Sequence, residues 1–135
     1  MNIDFTQEQK KLIGEKLAQC VRYLKTEVQP HLTRQDNLSI GVGEGLELKL
    51  TCKEMYVEKA SVFNMGIDLT RRQTFLLEKP QNRKGAKKYL CDAAPDLAFE
   101  FLQNWESAKK ELETEVDAKK EEVAELNSFI DNFEA

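Results

Sequence analysis

The chain has 135 residues, of which 33% are charged and 41% hydrophobic, and its net charge is −4. This length fits one domain with a single core, and the composition is too apolar for a disordered chain. No stretch approaches the roughly 18 apolar residues of a membrane span, and residues 1–16 are too charged for a signal peptide. The three scattered cysteines argue against a disulfide framework or a zinc site, so we expect a protein of the reducing cytoplasm.

A first helix is predicted over residues 7–28. Thr6 followed three positions later by Gln9 is a capping-box pattern, in which each side chain bonds to the backbone amide of the other residue. Pro30 ends the helix, because a proline forces the residue before it out of the α region. The apolar residues between these signals recur at steps of three and four and form one face: Ile13, Leu17, Cys20, Val21, Leu24 and Val28.

Residues 38–91 are predicted to form an antiparallel meander of four or five strands. Two runs alternate apolar with polar side chains, as half-buried strands do. Their apolar positions are Leu46, Leu48, Leu50 and Cys52 in the first run and Phe63, Met65, Ile67 and Leu69 in the second. Turns are expected at Gly41, Gly43 and Gly45, at residues 70–73 and at residues 79–85. Residues 75–77 and 89–91 are predicted to pair as a hairpin across the last turn.

The C-terminal segment is predicted to be one unbroken helix of about forty residues. Pro95 suits the first helical turn, and no Gly or Pro follows it. A heptad seam, with steps of four and three, runs through Ala98, Leu102, Trp105, Lys109, Leu112, Val116, Lys119, Val123, Leu126, Ile130 and Phe133. The predicted fold is therefore α+β: an N-terminal helix, an antiparallel meander and a long C-terminal helix with a coiled-coil-like seam.

The predicted helix is longer than the domain that carries it. Forty residues span about 60 Å, whereas a domain of about 100 residues is roughly 35 Å across. Its outer half, from residue 109 onward, is therefore expected either to self-associate, most simply as a dimer, or to dock into a groove on another protein. The residues predicted to bind the partner are Leu112, Val116, Val123, Leu126, Ile130 and Phe133.

Two lysines, Lys109 and Lys119, interrupt this seam. In one interpretation they fix the register of the helix or select an acidic partner. In the other, which we favour, their aliphatic stems cover the seam while the ammonium groups reach solvated carboxylates such as those of Glu106 and Glu115.

Basic residues are concentrated between residues 69 and 95, which carry seven Lys or Arg against two Asp or Glu. Such a surface suits the phosphates of a nucleic acid or nucleotide, and the alternative is that it faces the acidic C-terminal segment. The residues of this polyanion-binding hypothesis are Arg71, Arg72, Lys79, Arg83, Lys84, Lys87 and Lys88.

Catalysis is not expected. His31 is the only histidine, and the residue 41–45 segment Gly-Val-Gly-Glu-Gly lacks the Lys-Ser/Thr of a phosphate-binding loop. The one pattern with catalytic character is Asp36 followed by Glu47 and Lys49, which on neighbouring strands could hold Mg²⁺ in a nuclease. It is weakly specific, because Glu and Lys are common on exposed strands. We expect no cofactor and no metal.

The sequence thus favours a non-catalytic protein that binds other proteins. A small oligomeric accessory protein, adaptor or inhibitor, of the kind that mobile elements encode, would combine small size, no cofactor motif and a dimerising helix. The alternatives are a polyanion-binding protein that uses residues 71–88 and, after it, a metal-dependent nuclease.

Overall fold

The computed structural model describes residues 4–64, 68–79 and 88–133, and the side chains of residues 4–60, 72–79 and 88–133. The four strands are β1 (Leu38–Gly41), β2 (Leu46–Leu50), β3 (Met55–Asn64) and β4 (Asp68–Leu76). The helices are α1 (Gln7–Tyr23), α2 (Leu90–Ala93), α3 (Pro95–Gln103) and α4 (Trp105–Phe133). This order confirms the predicted α+β fold, with an N-terminal helix, an antiparallel sheet and a long C-terminal helix.

Helix α1 begins at the predicted capping box. The Gln9 amide donates to Thr6 Oγ1 at 3.2 Å, and the Thr6 amide donates to Gln9 Oε1 at 2.9 Å. After Tyr23 the helix widens into a π-helical segment, Leu24–Val28, and ends in a 3₁₀ turn, Gln29–His31. The Thr26 hydroxyl donates to the Arg22 carbonyl at 2.9 Å, an acceptor that an α-helix would offer to the Thr26 amide. The predicted helical extent is correct, but its last turns are not α-helical.

The sheet is antiparallel with the strand order β1-β2-β3-β4, so each strand pairs with its neighbour in sequence. Its buried face carries Leu46, Leu48 and Leu50 of β2, with Val57 of β3 directly opposite Leu48. The buried side chains of α1, α3 and α4 join those of this face in one hydrophobic core. The predicted alternation is therefore confirmed from Leu46 to Leu50, whereas Cys52 lies beyond the end of β2 and is half-buried.

Two predictions between residues 63 and 73 are wrong, one of a strand and one of a turn. The run from Phe63 to Leu69 is not one strand: Phe63 near the end of β3 pairs with Leu69 near the start of β4, and residues 65–67 lie outside the described residues. The turn predicted at residues 70–73 consequently falls inside β4. An alternating sequence pattern does not mark where one strand ends and the next begins, so the pattern alone could not separate β3 from β4.

The hairpin predicted between residues 75–77 and 89–91 is also wrong. Tyr89 forms an isolated parallel bridge with Leu76, and the chain enters helix α2 at Leu90. Leu90 and Cys91 are buried against the other helices. A short apolar run fits a buried helical turn as well as a strand, and here packing selected the helix.

The C-terminal helix is interrupted at Asn104, contrary to the prediction of an unbroken helix. The Asn104 side-chain amide donates to the Glu100 carbonyl at 2.8 Å, and its backbone amide is shared between the carbonyls of Glu100 and Phe101 at 3.3 and 3.2 Å. Asparagine competes in this way with regular helical hydrogen bonding. Helix α4 starts at the next residue, where Trp105 stacks on Phe101 with ring centroids 5.6 Å apart.

The Gly-Val-Gly-Glu-Gly segment forms the turn between β1 and β2, and α3 holds it in place. Glu100 Oε1 accepts a hydrogen bond from the Glu44 amide at 2.8 Å, and Lys59 donates to the Glu44 carbonyl. Gly43 has a φ of +150°, which L side chains rarely adopt, and a Cβ there would lie 2.6 Å from Glu100 Oε1. The glycine is required at position 43 by both conformation and space.

We predict that Gly43→Ala lowers the free energy of unfolding by about 1–3 kcal/mol, because the new Cβ strains the backbone and displaces the Glu100 carboxylate. Gly41→Ala is the matched control, since a Cβ at Gly41 meets nothing within 4 Å. Urea unfolding of both variants tests this. Equal stability of the two variants would contradict the assigned role of the turn.

Candidate protein-interaction site

The first half of α4 belongs to the core of the domain. Ala108, Leu112 and Val116 are buried, with Leu112 fully covered and Val116 7% exposed. They pack against the π-helical segment, the 3₁₀ turn and β1. Leu112 and Val116 were predicted to bind a partner, and this assignment needs correction, because their own domain already covers them. Of the residues predicted to bind a partner, only those from Val123 onward are exposed.

Lys109 and Lys119 both lie in the part of α4 that contacts the domain. The Lys109 ammonium stands over the ring of Tyr23, 5.1 Å from its centroid. Lys119 donates to Asp36 Oδ1 at 2.6 Å. These partners belong to the domain and differ from the solvated Glu106 and Glu115 carboxylates that the favoured interpretation named. The two lysines therefore interrupt the seam at places where α4 contacts its own domain.

The Lys119–Asp36 ion pair marks the point where α4 leaves the domain. Asp36 Oδ2 also accepts hydrogen bonds from the Thr33 amide at 2.7 Å and the Thr33 hydroxyl at 3.0 Å. Both charged side chains are about one-fifth exposed. The hydrogen bond from Lys119, followed by that from the Thr33 amide, lowers the pKa of Asp36, and Asp36 raises the pKa of Lys119. The pair thus joins the loop after the 3₁₀ turn to the helix.

Beyond this pair, residues 120–133 form what we call the arm, about 21 Å of helix whose side chains are all exposed. Five large apolar side chains of the arm have exposures between 44% for Ile130 and 80% for Phe133. We call them the arm stripe, and they are Val123, Leu126, Phe129, Ile130 and Phe133. At 100° per residue they lie within about one-third of the helix circumference, in line with Leu112 and Val116.

The arm is acidic, and most of its charge lies outside the stripe. Residues 120–133 carry four carboxylates against the single cation of Lys120. In the heptad that places Val123 and Ile130 at a, Glu121, Glu125 and Asp131 fall at the outward positions f, c and b. Phe129 stacks on Phe133 with ring centroids 6.3 Å apart. Phe129 was absent from the predicted binding residues because it flanks the seam.

The polyanion-binding hypothesis rests mainly on residues that the structure does not describe. Arg83, Lys84 and Lys87 lie outside the described residues, as does the side chain of Arg71. Arg72 pairs with Glu58 on the neighbouring strand at 3.2 Å. The ammonium group of Lys79 stands 5.4 Å from the centre of the Tyr89 ring, and Lys88 is exposed. This hypothesis stays a prediction.

The nuclease hypothesis finds its three residues engaged in other contacts. Asp36 binds Lys119, as described above, whereas Glu47 pairs with Lys49 at 3.1 Å on the exposed face of β2 and accepts from Ser39 at 3.0 Å. These contacts lower the pKa of Glu47. Within the described residues, no group of three or more His, Cys, Asp or Glu side chains could hold a metal ion.

Two of the three free thiols are buried. Burial raises the pKa of Cys20 to about 11 and also raises the pKa of Cys91. Both thiols therefore stay protonated near neutral pH, and a thiol is a much weaker nucleophile than a thiolate. Cys52 is half-buried after β2. The buried cysteines act as small apolar core residues.

An open groove of about 970 Å³ runs along α1 beside the end of β4. Its rim has charges of both signs, including Lys10 and Arg22 against Glu15 and Asp92, and Lys25 on the rim is paired with Glu78. This mixture selects no class of ligand. The arm stripe is the feature of the described surface with the clearest chemistry.

Comparison of the chain with protein-family models, with curated proteins and with solved structures found no match. In the part of the chain that the structure describes, no helix has both the length and the apolar character needed to cross a bilayer. A function is therefore inferred from the geometry of α4 and its surroundings.

We predict a coupling free energy of about 1 kcal/mol between Asp36 and Lys119 in a double-mutant cycle with Asp36→Asn and Lys119→Gln. Urea unfolding at pH 7 measures it, and Lys120→Gln, which changes the exposed neighbour, should show no coupling to Asp36→Asn. Equal coupling for both lysines would contradict a specific pair.

The coupling should also depend on pH. Because the pKa of Asp36 is lowered from 3.8, its stabilisation is complete above that value and is lost as the pH falls through the folded-state pKa. The raised pKa of Lys119 keeps the pair intact up to and beyond pH 10.5. The same cycle repeated well below pH 3.8 should give no coupling.

Proposed function

We propose that this protein is a non-catalytic interaction protein that self-associates through the arm stripe. The observation that carries the proposal is a row of five large apolar side chains, each at least 44% exposed, on one face of a helix that has left its domain. Scattered apolar residues are normal on protein surfaces, whereas contiguous apolar patches mark interaction sites. A heptad seam that continues into the arm is the pattern by which helices pair.

The energetics support an association of moderate strength. Full burial of a large apolar side chain contributes about 1.5–3 kcal/mol, and the stripe side chains have roughly half of that still to gain. Ten such side chains in a pair of arms give on the order of 10 kcal/mol, against an association cost of about 4–15 kcal/mol. With an association cost near the lower end of that range the balance is about −6 kcal/mol, which corresponds to a dissociation constant of tens of micromolar. The acidic outer face keeps the free arm hydrated.

Self-association of this kind would serve a small accessory protein, adaptor or inhibitor that acts by occupying a surface. The arm is joined to its domain through the buried part of α4 and the Lys119–Asp36 pair. An assembly of two copies would present two identical domain surfaces at a fixed spacing, and such an arrangement needs neither cofactor nor catalytic group.

We predict that the full chain sediments at about twice its mass of 15.6 kDa at concentrations above roughly 100 μM and dissociates on dilution. The variant Leu126→Gln with Ile130→Gln should remain a monomer, because it removes two central side chains of the stripe and keeps helix-forming residues. Sedimentation equilibrium from about 1 to 200 μM measures both.

The matched control for this experiment is Glu121→Gln with Glu125→Gln. It makes two substitutions on the outward face of the same arm, so it should associate at least as well as the parent chain. A parent chain that stays monomeric across the range would refute the proposal, as would equal association of the stripe variant.

A further inference from the structure

We infer that the second copy binds antiparallel, with the two arms overlapping from about residue 123 to residue 133 and each domain lying beyond the tip of the other arm. The inference rests on the proposed function and specifies the partner and its direction. It follows from the continuity between the arm stripe and the face of α4 that is buried in the core.

The stripe continues the intramolecular interface of α4 without a change of face. Val123 follows Lys119 by four residues and Val116 by seven, so the three side chains lie on the same side of the helix. Before Lys119 in the chain, that side of α4 faces the π-helical segment, the 3₁₀ turn and β1. The arm stripe thus points toward the side of α4 on which its own domain lies.

This direction excludes a parallel pair of arms. Packed helices run about 8–10 Å apart, so a parallel second copy would have its residues 105–119 beside the same residues of the first copy. The space on that side of Leu112 and Val116 is already filled by the chain's own core. Each domain would overlap the helix of the other copy, and the small crossing angle of a coiled coil cannot separate them.

An antiparallel pair avoids this overlap. The second helix then lies alongside the arm alone, and its own residues 105–119, with their domain, continue past Phe133 of the first copy. In the register that aligns the seam, Val123 lies opposite Phe133 of the second copy, and Leu126 lies opposite its Ile130. By two-fold symmetry this gives four apolar layers, in which each copy presents the same surface to the other.

The same register leaves three of the four acids of the arm outside the interface and places Glu122, at position g, on its flank with Phe129. The outward positions of Glu121, Glu125 and Asp131 keep these acids in water. The two Phe129 side chains, which flank the seam, come together near the two-fold axis. The helix dipoles run in opposite directions, and Lys120 of each copy partly offsets the charge that Glu121 and Glu122 place near the negative end of the other arm.

Spin-label distances test the direction of the pair. Glu121→Cys and Ser128→Cys place labels one heptad apart on the same outward face, each in a Cys52→Ser background that leaves only the buried native thiols. In the antiparallel pair the two labels at position 128 lie level with each other, whereas those at position 121 are offset by about 21 Å along the axis. The interspin distance should therefore be longer at position 121, by roughly 6–9 Å.

The outcomes separate this inference from the proposed function. Equal distances at the two positions, in a protein that sediments as a dimer, indicate parallel arms and overturn the inference alone. A labelled protein that is monomeric and shows no dipolar coupling at about 200 μM overturns the proposed function as well.

Discussion

The structure depends on one face of α4 that serves two purposes along its length. Over Ala108, Leu112 and Val116 this face closes the hydrophobic core above the sheet, and over Val123 to Phe133 it has no cover within the described residues. Hydrophobic burial is the dominant favourable contribution to folding, so the first stretch secures the helix firmly. Because both stretches belong to one helix, the first also fixes the direction of the second. The backbone that carries the exposed stripe therefore loses little conformational freedom when the stripe binds.

The transition between the two stretches is set by electrostatics. Lys119 occupies a seam position at which an apolar residue would complete the stripe, yet its ammonium group reaches Asp36 at 2.6 Å. The ion pair is partly exposed, so its contribution to stability is small. Its larger effect is on the position of α4, because it fixes where the helix leaves the domain. It also places a charged residue in the seam at that point. The arm stripe is thereby separated from the core.

Steric exclusion then links the fold to the mode of assembly. Heptad spacing alone is compatible with either direction of helix pairing, and Val or Ile at a with Leu at d is usual in parallel dimers. In this chain the domain lies on the same side of α4 as the stripe, so a parallel neighbour would meet the core around Leu112. In the proposed pair, the direction is therefore decided by the position of the domain, which local sequence preferences do not contain. The polyanion-binding hypothesis for residues 71–88 is independent of this geometry.

The sequence by itself determined the elements whose signals are local: the capping box of Thr6 and Gln9, the alternation in β2, and the periodic seam that makes the stripe. Only the tertiary structure decided that Leu112 belongs to the core and that Val123 belongs to the surface, because both have the same heptad pattern. The part of α4 that its own domain covers ends at the ion pair between Lys119 and Asp36, two residues that lie 83 positions apart in the chain. Periodicity records which face of a helix is apolar, whereas what covers that face depends on contacts between distant segments.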